Sequence, residues 1–307
     1  MGTVGVTVGQ IPFGQFFSSL SNQGLRVKMG PFNVQIGMTC AMLAERLYRL
    51  YANYELAECD LAEFHVQIGP VRLLKKPFSP HARFLLDGRS PFPPFPTGQA
   101  LAALEWGINL AIAARINHLL LFHSAVVERN GHAVLFPAWP GSGKTTLCTA
   151  LVHRGYRLFS DEFGLMDPHH GIFFPIPRLM PLKNESIRAI RDYLPEVMLG
   201  PEILNTHKGT IAHVPPPKES IARSSETAKA GWIVFPRWVS GAALRLEPLP
   251  DAEAFLLLAS NSFNYEVLGE KSFQAAAGLI KSCRCYKLTY SDFDSAIDAM
   301  NALTDDI

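Results

Sequence analysis

The residues that most clearly indicate a chemical function form the run Gly141-Ser142-Gly143-Lys144-Thr145-Thr146. This run follows an apolar stretch and begins a helical one. Glycines in such a loop let backbone N–H groups turn toward phosphate oxygens, and the start of a helix adds partial positive charge. A lysine at this position reaches the β- and γ-phosphates, and the hydroxyl after it completes the shell of a Mg²⁺ ion. The run therefore predicts a phosphate-binding loop of the Walker A kind.

The candidate nucleotide-binding residues are the loop and the first helical turn after it: Pro140, Gly141, Ser142, Gly143, Lys144, Thr145 and Thr146. Ala138 stands where the G-x-x-x-x-G-K-S/T pattern has its first glycine, and Trp139-Pro140 stiffens the approach. The alternative is a Gly-Ser turn beside an unrelated lysine. A position between an apolar strand and a helix favours the phosphate loop, with Thr145 as a Mg²⁺ ligand.

An acidic pair, Asp161-Glu162, ends the next predicted strand, Tyr156–Ser160. One short helix and this strand fill the interval after Lys144, which is the length of a minimal right-handed βαβ crossover. We therefore expect the acids at the carboxyl edge of the neighbouring strand, where ligands of open α/β sheets bind. One carboxylate can hold Mg²⁺ and the other can take a proton from an attacking hydroxyl. The alternative is that the pair only caps a turn.

Hairpin register places a third candidate, His123. Asn130-Gly131 is the pair that a type I′ turn requires, so Arg129 is predicted to face His132 and His123 to fall opposite Ala138. The imidazole would then lie beside the phosphate loop, where it can tune the acid or contact the γ-phosphate. The alternative is a histidine that is simply packed against an apolar run.

Further cations are candidates for phosphate or acceptor contacts: Arg178 and Lys183 after the acidic strand, and Arg237 after the strand near residue 235. The run Lys208-Gly209-Thr210 is a candidate for an acceptor-side loop. For each of these the alternative is a solvated loop. His169-His170 is expected to be exposed on a turn and not to bind a metal.

Composition bounds the scaffold that must position these residues. The chain has 307 residues, of which 48% are hydrophobic and 18% charged, with a formal net charge of +1. Such a chain buries a sizeable core and is not disordered. The balanced charge disfavours a protein whose main role is to bind nucleic acid or anionic lipid, and with it a nucleic-acid ATPase.

The proline-rich segment Pro91–Pro96 can neither continue a helix nor join a central strand, so it predicts the boundary between two domains. Residues 1–96 are expected to form a small α+β domain and residues 97–307 a domain that begins with a long helix near Thr97. The apolar stretch Ala100–Phe122 is predicted to be a core helix and not a membrane span, because it carries residues that are costly in lipid.

Periodicity and turn signals predict the remaining elements. Strands are expected at Phe32–Ile36, Phe64–Ile68, Ser124–Arg129, His132–Pro137, Tyr156–Ser160, Trp232–Phe235 and Tyr286–Thr289, and helices around residues 42–51, 145–153, 252–259, 272–279 and from 291 on. Residues 215–228 are polar and marked by prolines, which is typical of a mobile surface loop.

Cysteine usage and the N-terminus bear on the compartment. The five cysteines are odd in number and contain no C-x-x-C pair, so we expect reduced thiols. The first five residues lack the basic start and apolar run of a secretion signal. Together these features predict a cytoplasmic protein.

Three segments at characteristic spacing carry a family resemblance: His123–Val127 with the hairpin after it, Gly141–Thr145, and Arg154–Glu162. The combination resembles HPr kinase/phosphorylase, whose members have a histidine-led strand pair, a phosphate loop and an acidic pair after an Arg-Gly-x-Arg/Lys-Leu segment. The similarity is strong over residues 123–162 and loose over residues 120–260. The whole chain looks most like the HPr-kinase-related kinase A type that accompanies modified-peptide gene clusters.

The resemblance implies an α/β fold, with a P-loop kinase core of the HPr-kinase/PEP-carboxykinase-like type preceded by a small N-terminal α+β domain. It also implies a serine kinase that uses ATP and Mg²⁺. Carried over by position, Lys144 and the loop amides would bind the phosphates, Thr145 would bind Mg²⁺ together with the acidic pair, Asp161 would be the base and His123 would assist it.

The sequence departs from the family pattern in two places. Glu162 stands where the family has a second Asp, which bears on the metal geometry. The Glu-x-Arg-Gly-x-Gly signature of the bifunctional enzyme is absent, and residues 177–184 occupy its neighbourhood. We therefore expect neither phosphorylase activity nor HPr itself as the substrate.

These observations predict an ATP-dependent kinase, a transferase that moves the γ-phosphate to a hydroxyl, expected to be a serine, of a small protein or peptide such as a modified-peptide precursor. The alternatives are a nucleotide-binding module that transfers nothing and a small-molecule kinase in a peptide-modification pathway. No nucleic-acid or membrane partner is expected, and a homo-oligomer is left open.

Overall fold

The computed structural model describes residues 5–71 and 80–305. Residues 1–4, on which part of the prediction about a secretion signal rests, lie outside that range. The strands are β1 (Leu25–Met29), β2 (Phe32–Met38), β3 (Phe64–Val71), β4 (His81–Leu86), β5 (Phe95–Pro96), β6 (Leu120–Arg129), β7 (His132–Pro137), β8 (Arg157–Ser160), β9 (Phe163–Met166), β10 (Ile172–Phe174), β11 (Met180–Lys183), β12 (Ile203–Thr206), β13 (Gly209–Val214), β14 (Ala228–Trp238), β15 (Arg245–Pro248) and β16 (Arg284–Tyr290).

The helices are α1 (Phe13–Asn22), α2 (Ala41–Leu50), α3 (Ala100–Arg115), α4 (Lys144–Val152), α5 (Glu185–Tyr193), α6 (Lys218–Ala222), α7 (Asp251–Ser260), α8 (Tyr265–Leu268), α9 (Glu270–Ser282) and α10 (Phe293–Asp305), with short 3₁₀ turns at Val8–Gln10 and Thr97–Gln99. The fold is therefore of the mixed α/β kind that the sequence predicts, with several sheets.

The N-terminal unit is a sheet of order β1-β2-β3-β4-β5. The two strands predicted from alternation are both present, and they are parallel neighbours, with Val34 opposite Phe64. Their alternating buried and exposed positions match the pleat, since successive side chains in a strand point to opposite faces. The proline segment ends in β5, which pairs with β4 at the edge of this sheet.

Helix α3 packs on this first sheet, although it follows the predicted domain boundary. Its buried side chains, from Ala100 to Ile112, share one core with the strands of the N-terminal unit. The approach is close at Gly107, where a Cβ would lie 2.1 Å from the Phe84 ring. The division at residue 96 stays a prediction, and the helix that opens the second unit is packed against the first.

The predicted helix Ala100–Phe122 is wrong in its second half. Helix α3 ends at Arg115, and residues from Leu120 onward form the start of β6. The apolar run is divided between α3 and β6, and both are buried. Hydrophobicity alone therefore does not show where the helix ends. Within the described residues, no helix is both long and apolar enough to cross a bilayer.

The main sheet has the order β10-β9-β6-β7-β14-β16-β15, with β8 also paired to β6. The hairpin register is confirmed, since Arg129 faces His132 and Val126 faces Leu135. Strands β7, β14 and β16 run parallel to one another, and their carboxyl ends lie at one edge. The loop that follows β7 therefore lies at this edge of the sheet.

The expected neighbour relation between β7 and β8 is wrong. Strand β6 lies between them and is antiparallel to both, so β7 and β8 are parallel but separated. The hairpin places β7 beside β6, β14 occupies the other side of β7, and after α4 the chain returns as β8 on the free side of β6. The acidic pair still emerges at the same edge of the sheet as the end of β7.

The segment 215–228 is not the free surface loop that its composition predicts. It contains α6, in which Ser220 and Ile221 are buried. The Ser220 hydroxyl accepts a hydrogen bond of 3.0 Å from the Leu158 N–H of β8. This segment therefore caps the edge of the short strand that precedes the acidic pair. The remaining sheet, β11-β13-β12, packs nearby through Met180 and Leu182.

Candidate active site

The glycine loop, residues 138–143, connects β7 to α4 in a tight turn. Gly141 and Gly143 have φ values of 88° and 89°, a region that favours glycine because it has no Cβ. At Gly143 a Cβ would also lie 2.7 Å from the Tyr290 Oη and 2.9 Å from the Trp238 Cβ. Position 143 therefore requires glycine for two reasons: its φ value is positive, and a Cβ would clash with Tyr290 and Trp238.

Two neighbouring strands fix the glycine loop at their carboxyl ends. The Trp238 N–H of β14 donates to the Ser142 carbonyl at 2.9 Å, and the Tyr290 hydroxyl of β16 donates to the Gly143 carbonyl at 3.2 Å. Sequence reasoning missed both residues. Each is an aromatic at the end of a strand that runs parallel to β7, and that position was the available signal.

Helix α4 begins directly after the loop, so the first N–H groups of residues 144–146 have no partner within the helix. Pro140 and Gly141 are exposed, whereas Ser142, Gly143, Thr145 and Thr146 are half-buried. The Lys144 side chain is 8% exposed, and its Nζ has no hydrogen-bond partner among the described residues. A buried ammonium without a partner is costly, which marks this position as one that a ligand would complete.

The acidic pair interrupts a strand. Strands β8 and β9 both pair with β6, and Asp161-Glu162 forms the break between them. The Ser160 hydroxyl accepts hydrogen bonds from the N–H groups of Glu162 and Phe163, at 3.2 and 2.9 Å, and the Ser124 N–H donates to the Glu162 carbonyl at 3.3 Å. The break therefore holds one fixed shape.

Asp161 is 4% exposed, and neither carboxylate oxygen has a hydrogen-bond partner within the described ranges. Burial is the main cause that raises the pKa of this carboxyl to about 7; the charge of Lys144 opposes the rise, the charge of Glu162 adds to it, and the charge of Lys183 opposes it. An aspartate with a pKa near 7 exchanges its proton at neutral pH, as a general base must.

His123 lies on β6 one step beyond the end of the β6–β7 ladder, and it pairs with Phe163 of β9 on the other side. Its Nε2 is 3.6 Å from the Glu162 Oε1. Burial is the main cause that lowers the pKa of His123 to about 4; the charge of Lys144 acts in the same direction and the charge of Glu162 opposes it. The imidazole is therefore neutral at neutral pH and stands next to the acidic pair.

Two more lysines act on the same cluster through their charge. Lys183, at the end of β11, lowers the pKa of both Asp161 and His123. Lys208, between β12 and β13, also lowers the pKa of His123, and its Nζ stands 5.6 Å from the centre of the Trp106 ring. Of the softer sequence candidates, these two are brought to the site.

Arg237 lies beside the glycine loop. It is exposed at the end of β14 and lines a groove of about 350 Å³ together with residues 137–142. Trp139 and Trp238, which are 59% and 48% exposed, line the same groove. The groove thus offers a cation and aromatic surface next to the loop.

The structure does not bring Arg178 together with these residues. Its guanidinium is 7% exposed and donates to the Glu105 carboxylate at 2.5 Å and to the Asn109 side chain. The Tyr51 hydroxyl donates to the same carboxylate. This buried network joins α3, the N-terminal unit and the segment before β11, so Arg178 is committed to packing.

The chemistry of the donors bears on a metal ion. The described residues contain no cluster of three or more His, Cys, Asp and Glu side chains that could hold a metal by themselves. Thr145, Asp161 and Glu162 are oxygen donors, and Mg²⁺ in phosphoryl-transfer sites is typically held by one or two carboxylates plus substrate phosphates. The unpartnered oxygens of Asp161 fit that second arrangement.

Comparisons with known proteins give little further constraint. No protein-family model matches the sequence, and no curated protein sequence matches it. Among solved structures, the chain is similar to the Hpr(Ser) kinase/phosphatase from Coxiella burnetii, with a TM-score of 0.25 and 12% identity over 60% of this chain and 94% of that chain. At that TM-score no residue correspondence is carried over.

Proposed function

We propose that the protein is an ATP-dependent kinase that transfers the γ-phosphoryl group to a serine hydroxyl of a small protein or peptide. The observation that carries the proposal is the pair of buried, unpartnered groups at one sheet edge, the Lys144 Nζ and the Asp161 carboxylate. The ammonium is placed to meet phosphate charge, and the carboxylate to accept a proton. The motif resemblance supports the choice of serine as the acceptor.

In this proposal the glycine loop and the start of α4 bind the phosphates through backbone N–H groups. Lys144 contacts the β- and γ-phosphates, and Arg237 lies on the exposed side of the same loop, where the groove with Trp139 and Trp238 offers surface for the nucleotide base. Thr145 and Glu162 would hold Mg²⁺, which would neutralise phosphate charge when bound, and this leaves the Asp161 carboxylate free to act as the base.

Proton transfer is assigned to Asp161. Its pKa of about 7 makes the carboxyl a far better acceptor than an ordinary aspartate while leaving it partly ionised at neutral pH. The hydroxyl proton would move to this carboxylate as the oxygen attacks phosphorus in line. Neutral His123, 3.6 Å from the Glu162 carboxylate, would orient the acidic pair, and the charges of Lys183 and Lys208 would offset the phosphoryl charge.

The test uses ATP labelled at the γ-phosphate and the small-protein and peptide fraction of cells that express this protein. With the wild-type protein, label should enter a discrete acceptor at serine. With Asp161→Asn, ATP binding measured by calorimetry should persist while labelling falls by about 10²-fold or more. Labelling by Asp161→Asn at the wild-type rate would contradict the assignment of the base.

The same experiment separates the alternatives. If ATP binds and no label leaves it except as inorganic phosphate, the protein is a nucleotide-binding module. If label enters only low-molecular-weight hydroxyl compounds, it is a small-molecule kinase. If Lys144→Ala binds ATP as tightly as the wild type, the glycine loop is not a phosphate site and the proposal fails at its first step.

A further inference from the structure

The turn between β12 and β13 is held in one shape by hydrogen bonds at its base. The Thr206 hydroxyl donates to the Gly209 carbonyl at 2.6 Å and accepts from the Lys208 N–H at 3.1 Å. Gly209 has a φ of 84°, and a Cβ there would clash with the Asn184 side chain, whose oxygen accepts from the Thr210 N–H at 3.0 Å. The turn therefore presents Lys208 from a fixed backbone.

Helix α3, which shares a core with the N-terminal sheet, also contacts this turn. The centre of the Trp106 ring lies 4.4 Å from that of the His207 ring and 5.6 Å from the Lys208 Nζ. Before the helix, the Gln99 side chain donates to the Asn205 carbonyl at 2.8 Å. The N-terminal unit therefore takes part, through α3, in the surroundings of the candidate active site.

Two positive charges meet beside this turn. Lys183 ends β11 and is paired with Ile211 of β13, so it lies next to the base of the turn that carries Lys208. Partial burial lowers the pKa of Lys208, and the charge of Lys183 lowers it further, whereas the charge of Glu162 raises it. Neither ammonium has an ion pair or a hydrogen bond within the part of the chain that the structure describes. Neighbouring like charges repel each other, and a negative group between them would remove that cost.

The geometry of phosphoryl transfer places the acceptor on the side of these lysines. In-line attack requires the hydroxyl to lie across the γ-phosphate from the leaving oxygen. With the nucleotide on the glycine loop and the start of α4, the acceptor meets the γ-phosphate at the break between β8 and β9. Lys183 and Lys208 border that break, because their charges add to the lowering of the His123 pKa that burial causes. Phe263, which is 43% exposed and 5.4 Å from the His123 ring, is a second aromatic residue at this border.

We propose that Lys183, Lys208 and Trp106 form an acceptor subsite, which binds an acidic side chain of the acceptor next to the serine that is phosphorylated. This inference rests on the proposed kinase function and adds the local chemistry of the acceptor to it. Lysine ammonium groups bind carboxylates through charge-assisted hydrogen bonds, and the Trp106 ring offers apolar contact to the neighbouring part of a peptide. The subsite gives α3, and with it the N-terminal unit, a role in choosing the acceptor.

The probes are three synthetic alanine peptides with blocked termini, each with one central serine flanked on both sides by aspartate, by asparagine or by lysine. With labelled ATP and the full-length protein, kcat/KM for the aspartate peptide should exceed that for the asparagine peptide by at least about tenfold, as expected for one charge-assisted hydrogen bond. Lys208→Gln should bring this ratio close to one, and Lys208→Glu should favour the lysine peptide over the aspartate peptide. Because each ratio compares two peptides on one protein, a general loss of activity or of folded protein cancels.

The matched control is Lys218→Glu, which makes the same charge change at an exposed lysine of α6 and should leave the wild-type ratio unchanged. The subsite is overturned if the wild type labels the aspartate and asparagine peptides equally or labels neither, or if both Lys208 variants keep the wild-type ratio. An equal change in the Lys218→Glu protein would also overturn it, since the effect would then be one of overall charge.

The fate of the proposed function is measured separately, with the small-protein and peptide fraction of cells as the acceptor. Serine labelling in that fraction, together with a peptide ratio of one, removes the acidic subsite and leaves the kinase function standing. Label that leaves ATP only as inorganic phosphate removes the kinase function itself.

Discussion

Two buried charged clusters in this chain differ in how they are completed. In the first, Arg178 and Glu105 are joined by an ion pair and further hydrogen bonds, including one from Tyr51, while the Arg178 Nε has no hydrogen-bond partner among the described residues. In the second, Lys144 and Asp161 are as deeply buried, yet the ammonium and both carboxylate oxygens lack hydrogen-bond partners among the described residues. Both clusters place charge in a low-dielectric interior, where an unpaired group is expensive.

The partners of a buried charge distinguish a packing role from a functional one. Arg178 was a reasonable candidate from the sequence, but its hydrogen bonds show that the fold itself uses it. Lys144 is buried without such use, and its charge is left for something outside the chain. A buried charge that is held in an ion pair indicates structure, whereas a buried charge with neither an ion pair nor a hydrogen bond indicates a site.

The largest expected effect is a loss of stability when the Arg178–Glu105 ion pair is broken. Arg178→Met leaves the Glu105 carboxylate buried and unpaired, so the free energy of unfolding should fall by about 3–5 kcal/mol. Urea denaturation would measure this. The control is Arg188→Met, which breaks an exposed pair with Asp192 and should cost no more than about 0.5 kcal/mol. Equal losses from the two variants would remove the distinction between these arginines.

The second largest expected effect is on ATP binding, in the cluster of Lys144 and Asp161. Lys144→Ala should lower ATP affinity by about 100-fold, because a charge-assisted contact to phosphate is lost. Its melting temperature should not fall, since the ammonium has no partner to lose. Calorimetry and thermal denaturation would be compared with Lys218→Ala, an exposed lysine on α6. A drop in stability like that of Arg178→Met would show that Lys144 is structural.

The raised pKa of Asp161 makes the stability of the protein depend on pH. Because the pKa of Asp161 is raised from 3.8 to about 7 by burial, the folded state binds more protons than the unfolded state between these values. Stability from this group is therefore fully present below pH 4 and is lost as pH rises through 7. Asp161→Asn should melt higher than the wild type at pH 8, and the difference should disappear near pH 4.

Catalysis should depend on pH in the opposite sense. Transfer needs ionised Asp161, so kcat/KM of the wild type should rise with pH through about 7, the pKa of the carboxyl in the free protein. His123, with a pKa of about 4, should contribute no step above pH 5. A rate that is flat between pH 6 and 8 would argue against Asp161 as the base.

The smallest effect concerns an exposed cation. Arg237→Gln should weaken ATP binding by roughly two- to fivefold, because a solvated arginine near the glycine loop contributes little per contact. Raising the salt concentration should shrink the difference between variant and wild type, since exposed charges are screened. Titrations at two ionic strengths would show this, and a loss as large as that of Lys144→Ala would place Arg237 directly on the phosphates.

Local signals predicted the parts of the site that are contiguous in sequence. The Gly141–Thr145 run, the Asn130-Gly131 turn and the register of the hairpin were all readable, because each depends on backbone conformation over a few residues. The position of β6 between β7 and β8 was not readable. It depends on which strand of the hairpin β8 pairs with, and that is decided only when the whole sheet assembles.

The role of Arg178 could not be predicted because its partner, Glu105, lies on a helix far away in sequence. The same is true of Tyr290 and Trp238, which contact the glycine loop only because three parallel strands end at one edge. The burial of α6 reverses the surface-loop prediction for residues 215–228 for a similar reason. The polar composition of this segment gave no sign that the Ser220 hydroxyl accepts a hydrogen bond from the Leu158 N–H of β8.

The continuity of β6 has a consequence for motion. One ten-residue strand pairs with both β8 and β9, so the turn that carries Asp161 is held at each end by the same rigid neighbour. Loops typically move on a timescale of nanoseconds to microseconds. Here the Glu162 and Phe163 amides, both bonded to the Ser160 hydroxyl, should exchange with deuterium as slowly as those of the sheet core.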